Sequence, residues 1–219
     1  MGSMGRWAGL SPDDRRAGRR KLLVDAAYEL IGRGDDAELS VRSVCREAGL
    51  HHRYFYESFP DTDELLGAVY DEIYPQLRRT LTAATVGLLD DRARLRAGIR
   101  AVLDFSAADP RHGQILFSAA AANPVLAARR SAAQKELREY ILAVRRQGNP
   151  RFDRIAAEVA AAIYAGATTQ LNDQWLAGSL GSDLDAVIEH AVNLMTPDHH
   201  DAKPTRTRSR KQAGRSSTR

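Results

Sequence analysis

Cysteine is almost missing from these 219 residues: Cys45 is the only one. No disulfide can form within the chain, and nothing points to an oxidising compartment. Cys45 sits in an apolar helical position and reads as a small core residue. The first twenty residues lack the apolar stretch of a secretory signal. No run approaches the roughly 18 apolar residues of a bilayer span. The chain therefore reads as cytoplasmic, without a membrane partner. There is no alternating strand pattern and no internal repeat. A Glu-x-x-His pair, the usual metal signature of helical-bundle enzymes, does not occur, and neither does a Gly-rich phosphate loop. No cofactor, metal site or catalytic residue is expected.

The net charge is +4, but its location matters more than its size. Residues 197–219 hold seven Lys and Arg against two Asp, so the remainder of the chain is close to neutral. Bulk charge thus gives no argument for a nucleic-acid partner, and any such argument must come from motif and geometry. Apolar residues at 43% fit a globular protein large enough to bury a real core.

What is present is helix, almost throughout. Leu23, Ala26, Ala27 and Leu30 fall at i, i+3, i+4, i+7 in a helix from Arg19 to Ile31, stopped by Gly32 and Gly34. Ser40 is a natural N-cap for a short helix that turns Val41, Val44, Cys45 and Ala48 inward. Gly49 ends it, and another helix runs from His51 to Phe59, before Pro60. Three short helices with a Gly-containing turn between the second and third make a helix-turn-helix pattern. Longer helices are predicted over Asp63–Leu88 (bent at Pro75), Asp91–Ala108, Arg111–Ala122, Val125–Gln147, Phe152–Ala177 and Ser182–Met195. The fold class is all-α with about nine helices. Its parts are an N-terminal arm (1–14), a helix-turn-helix unit (15–62), a helical body (63–196) and a polar, disordered basic tail (197–219).

The segment from Leu39 to Leu66, LSVRSVCREAGLHHRYFYESFPDTDELL, resembles the DNA-binding signature of the TetR family of transcription regulators. The resemblance rests on Ser40 as cap, Val44-Cys45, the Ala48-Gly49-Leu50 turn, Tyr56 and Phe59 in the recognition helix, and Glu64-Leu65-Leu66 opening the fourth helix. Two positions depart from the family pattern: Ser58 stands where His is usual, and Thr62 where Lys is usual. Both usually face phosphate, so their loss should weaken the salt-dependent part of binding. Arg15, Arg16, Arg19 and Arg20 are candidates to replace them.

Side-chain chemistry assigns roles to the same residues. Phe55 and Phe59, four apart, pack inward, leaving His52, Arg53, Tyr56 and Glu57 outward. Arg53 can donate two hydrogen bonds to guanine, His52 one to a base-edge acceptor, and Glu57 can accept from cytosine. Tyr54 and Tyr56 offer hydroxyls to phosphate oxygens, with core packing as the plain alternative for Tyr54. Arg42 matches a family position that reaches base or phosphate. Ser40 and His51 complete the candidate DNA-binding set. His51 and His52 diverge by about 100° on a helix and cannot share a metal ion.

Beyond Leu66 the resemblance is one of architecture. It implies a ligand-binding and dimerisation domain over 63–196. It also implies a homodimer through 152–177 and 182–195, where Ala160, Ala161, Ala162, Ala165, Gly166 and Ala167 permit close helix approach. Candidate effector-lining residues are Phe105, Leu116, Phe117, Tyr140, Gln170, Leu171 and Trp175, with Gln114, Asn123 and Asn172 as further polar options. The implied function is a transcription regulator, a repressor released from a palindromic double-stranded DNA operator by a small hydrophobic or aromatic effector. The helix from Asp63 would be the lever between the two halves. The competing readings are an all-α adaptor that binds only protein, and a helical-bundle enzyme without a recognisable catalytic motif.

Overall fold

The structure is a computed structural model that describes residues 9–32, 39–118, 123–146 and 152–196. Nine helices are found among the described residues, and no strand. They are α1 (Pro12–Gly32), α2 (Val41–Ala48), α3 (His52–Tyr56), α4 (Thr62–Thr85), α5 (Asp91–Ala108), α6 (Pro110–Gly113), α7 (Pro124–Arg146), α8 (Arg154–Leu176) and α9 (Leu184–Met195). A π-helical turn, Gln114–Ser118, continues α6. The expected basic tail lies outside the described residues, as do the expected end of the sixth helix at Ala122 and the Gln147 end of the seventh.

Several element boundaries differ from the sequence expectation, the larger differences mostly for local reasons. α1 begins at Pro12 rather than Arg19, inside the segment read as an arm. The Ser11 hydroxyl accepts from the Asp14 N–H at 3.1 Å, proline suits the first helical position, and Asp13 and Asp14 favour a helix N-terminus. α3 is shorter than His51–Phe59, because the Ser58 and Phe59 amides both close onto the Phe55 carbonyl, each at 2.8 Å. The sixth helix leaves α geometry after Gly113 instead of running on. α4 runs unbroken across Pro75 and ends at Thr85, ahead of Gly87 with its positive φ of 78°.

Ser40 caps α2 as its residue type suggests. Its hydroxyl accepts from the Ser43 amide at 3.1 Å, and the Ser43 hydroxyl accepts in return from the Ser40 amide at 3.0 Å. Gly49, at φ 64°, supplies the left-handed residue that turns the chain from α2 into α3. Phe55, Phe59, Val44, Cys45, Leu23 and Ala27 fill the space between the first three helices. Burial raises the Cys45 thiol pKa, consistent with an unreactive core residue.

The core does not stop at the end of this unit. Leu65, Leu66, Val69, Tyr70, Ile73 and Leu77 of α4 extend it into the body, to Val102, Leu116 and Leu126. A second cluster joins Ile99 and Leu103 of α5 to Ile188, Ala191 and Val192 of α9. The ion pairs Arg96–Glu189 and Arg100–Asp185 tie the same two helices together.

A polar clamp fastens the C-terminal end of α1 to α6. The Tyr28 hydroxyl donates to Asp109 at 2.7 Å. Arg111 grips the same carboxylate through Nη2 at 2.7 Å and Nε at 2.8 Å, pairs with Glu29, and lies 4.6 Å over the Tyr28 ring. Gly32 is required here, because a Cβ at this position would run into the Arg111 side chain. The next residue, His112, stacks on Phe105 with centroids 4.3 Å apart.

Arg111 and Tyr28 hold the Asp109 carboxyl well below the usual carboxylate range, in spite of partial burial. A carboxylate whose folded pKa is depressed contributes stability above its unfolded pKa of about 3.9. That contribution is lost as pH falls toward the folded value. Asp109→Asn should therefore lower stability at neutral pH, by about 1 kcal/mol after solvent screening. In denaturant unfolding series, the gap between variant and parent should close as pH drops below about 4. A gap that is constant from pH 7 to 3 would show that the charge contributes nothing.

Candidate nucleic-acid interface and bundle cavity

α3 stands on the Phe55–Phe59 pair, whose rings are 6.0 Å apart and buried. With that face inward, His51, His52, Arg53, Tyr54 and Tyr56 are exposed, and so is Arg42 on α2. The Arg53 side chain is 81% exposed and Tyr56 62%. These residues form one outward surface carrying guanidinium, imidazole and phenol donors, the groups that contact base edges and phosphates.

Several candidates have internal partners that the sequence did not reveal. The Ser40 hydroxyl is engaged in the capping box. His51 is the N-cap of α3, its Nδ1 accepting from the Arg53 amide at 3.2 Å. Tyr54 lies beneath the Arg19 guanidinium, 4.6 Å from the ring centroid. Glu57 departs most from its expected role. Its carboxylate accepts from Arg53 Nε at 3.0 Å and from Arg19 at 3.2 Å, so it braces two cations instead of standing free for a cytosine.

Two of the arginines expected to replace lost phosphate contacts are also occupied. Arg19 pairs with Glu57, while Arg20 donates to the Ser58 carbonyl at 2.9 Å and lies 4.0 Å over the Phe59 ring. Their guanidiniums tie α1 to the α3 turn. The Ser58 hydroxyl donates to the Tyr54 carbonyl at 3.1 Å.

In the body, α4, α5, α7 and α8 surround a cavity of about 290 Å³. Of the expected lining residues, Leu116, Phe117 and Tyr140 border it. Phe105, Gln170, Leu171 and Trp175 do not. Phe105 is covered by His112, Leu171 and Trp175 pack on the second core cluster, and Gln170 is exposed. Asn123 caps α7, its side-chain oxygen accepting from the Val125 amide at 2.9 Å. Asn172 is fully buried beside Gly113 and away from the cavity, its amide unpartnered among the described residues.

Sequence reasoning missed most of the wall: Tyr70, Tyr74, Leu77 and Leu81 from α4, Ile99 and Val102 from α5, and Arg130, Leu137 and Tyr164 from α7 and α8. Tyr70 and Tyr74 stack with centroids 5.9 Å apart. Burial pushes the Tyr70 hydroxyl up to about 12, so it stays neutral and can donate. The i, i+4 spacing of the two tyrosines was the available signal, and it reads equally well as core.

No family model matches the sequence. Solved structures do match over most of its length. A TetR-like transcriptional regulator from Rhodococcus sp. RHA1 is 20% identical, with a TM-score of 0.63 over 81% of this chain and 93% of that one. A TetR family transcription regulator from Marinobacter aquaeolei VT8 is 18% identical, with a TM-score of 0.60 over 84% and 96%. The multidrug binding protein EbrR is 20% identical, with a TM-score of 0.60 over 82% and 95%. The fold is thus a helix-turn-helix unit fused through a shared helix to an all-helical body. It is, specifically, the fold of the TetR-type regulators.

Glu57 holds the Nε of Arg53, and the side chain is largely exposed, as a base-reading role would require. Arg53→Ala should cost about 1–3 kcal/mol at one base pair of the preferred site and relax the preference there. Titrations against single-base variants of that site measure this. A uniform loss over all variants would make Arg53 a positioning residue only.

Proposed function

We propose that the chain is a ligand-responsive DNA-binding transcription regulator. It acts as a homodimeric repressor, released from a palindromic operator when a small hydrophobic or aromatic molecule enters the bundle cavity. The observation that carries this reading is the exposed Arg53–Tyr56 face of α3, braced from behind by buried Phe55 and Phe59 and joined through α4 to a cavity. An adaptor that only packs against protein has no need for that donor-rich face. The solved structures that share the fold include transcription regulators and the multidrug binding protein EbrR, which supports a regulator with a small-molecule ligand.

Dimerisation is supported by an apolar stripe left uncovered among the described residues. Ile155, Val159 and Ile163 of α8 are each more than half exposed and lie at i, i+4, i+8, beside exposed Ala162 and Gly166. Leu194 on α9 is exposed as well. Ala157 and Ala161, by contrast, turn into the protomer, so only part of the small-residue run serves a partner. Two copies joined here would have to present their α3 helices about 34–36 Å apart, one turn of DNA.

Coupling can take two routes from the cavity to α3. α4 lines the cavity with Tyr70, Tyr74, Leu77 and Leu81, and its Leu65 belongs to the same core cluster as Phe55 and Phe59. The π turn lines it with Leu116 and Phe117, directly after the α6 clamp on α1. A ligand that favours one arrangement of these elements shifts DNA affinity by the difference in its own affinity for the two states, typically 5- to 150-fold.

Selection from random duplex DNA should enrich a near-palindromic site, whereas a pool without enrichment would defeat the regulator reading. Ile163→Asp should convert the dimer to monomer in sedimentation and weaken operator binding, because each half-site alone contributes only part of the affinity. An unchanged sedimentation coefficient would place the dimer face elsewhere.

A further inference from the structure

We propose that the cavity ligand is an amphipathic anion, an apolar body carrying one carboxylate, with Arg130 as the group that holds the charge. This rests on the reading of the cavity as an effector site. The wall carries three arginines against two carboxylates. Arg78 is paired with Glu136 at 3.0 Å and Arg94 with Asp91 at 2.8 Å. Arg130 is left over. Among the described residues it has no carboxylate partner, and its one hydrogen bond goes from Nη1 to the Phe117 carbonyl at 3.1 Å. Residues 119–122, which lead into α7, are all alanine and bring no acid.

A half-buried guanidinium against apolar walls is only partly compensated by a single carbonyl. Its remaining donors suit a carboxylate, which can accept two of them at once. The opposite charge preference has no foothold. Glu136 already accepts from Arg78 and from the Tyr74 hydroxyl at 3.0 Å, and Asp91 is paired, so a cationic ligand would have to break an existing pair. The neutral Tyr70 hydroxyl adds a further donor to the wall. Leu77, Leu81, Leu116 and Leu137 supply the apolar surface for the rest of the molecule.

The position of Arg130 also links charge recognition to the switch. Among the described residues its hydrogen bond goes to the π turn that follows the Arg111–Asp109 clamp. A carboxylate that recruits this guanidinium competes with the Phe117 carbonyl and so acts on the segment tied to α1.

Calorimetric titration of the full-length dimer tests the proposal with two sets of probes. The aliphatic set is dodecanoate, dodecanol and dodecyltrimethylammonium, below their micellar concentrations. The aromatic set is 2-naphthoate, its methyl ester and 2-naphthylmethylammonium. In the set whose body fits, the carboxylate should bind roughly tenfold or more tightly than the neutral analogue, and the cation most weakly. Arg130→Gln should remove the carboxylate's advantage and leave the neutral probe's affinity unchanged, while Arg130→Lys, which keeps the charge but not the paired donors, should keep only part of it. Neutral and anionic probes binding equally, or a preference that survives Arg130→Gln, would overturn the anion assignment and leave the cavity as a neutral-ligand site. If no probe of either set binds, the effector-site reading fails and this proposal with it.

Discussion

Everything else in the molecule hangs on α4 keeping one apolar face along its whole length. Leu65, Leu66 and Val69 complete the core of the first three helices, and Tyr70, Ile73 and Leu77 continue it without a break into the body. A helix that ended or turned at Pro75 would separate two small units. The first has only about fifty residues, near the lower limit for a domain that is stable alone. Because the core is shared, the position of α3 cannot be set independently of what packs on the far half of α4. Close-packed interiors transmit such shifts because they have few voids to absorb them. The same helix borders the cavity, so the strongest packing constraint in the fold is also its mechanical connection.

The electrostatics of the exposed face follow from a similar economy. Glu57 sits between Arg19 and Arg53, which locks the α3 turn to α1 but spends two of the cations nearest the surface. Arg20 is used in the same way on Ser58 and Phe59. Under the proposed function, the uncharged Ser58 and Thr62 would leave less of the affinity to phosphate neutralisation. More of it would fall on the exposed His52, Tyr56 and Arg42, and on the part of Arg53 that Glu57 does not hold. Such a surface would lean on base contacts and shape more than on counterion release.

The helices and the α2–α3 turn were legible in the sequence because their causes are local: the i, i+3, i+4 stripe of Leu23 to Leu30, the Ser40 cap, and glycine at the one left-handed position, Gly49. The early start of α1 was legible too, in Ser11-Pro12 followed by two aspartates, but its first turns carry no apolar stripe to draw attention. What could not be read were contacts between residues far apart in the chain. Nothing near Glu57 announces Arg19, and nothing near Tyr28 announces Asp109 and Arg111. The cavity was half legible for the same reason. Aromatic and aliphatic residues on α4, α5 and α8 look alike in the sequence whether they border a cavity, as Tyr70 and Tyr74 do, or pack on a second core, as Leu171 and Trp175 do.

If the cavity is the effector site, the clamp at Asp109 would give the coupling a second arm that α4 alone does not provide. α4 would pass a change in cavity volume toward the first three helices, because its buried face runs from their core to the cavity. It would respond to shape, and molecules of similar size would act on it alike. The π turn is different. It is held by a polar bond from Arg130 on one side, and it runs directly into Arg111, whose contacts with Asp109, Glu29 and Tyr28 grip α1 on the other. A chain of charged and hydrogen-bonded groups responds to the charge of a ligand rather than to its bulk. Under that reading, two arms of different physical character on one helical head would allow volume and charge to be sensed together. A ligand that satisfies only one would shift the equilibrium by only that part of the coupling energy.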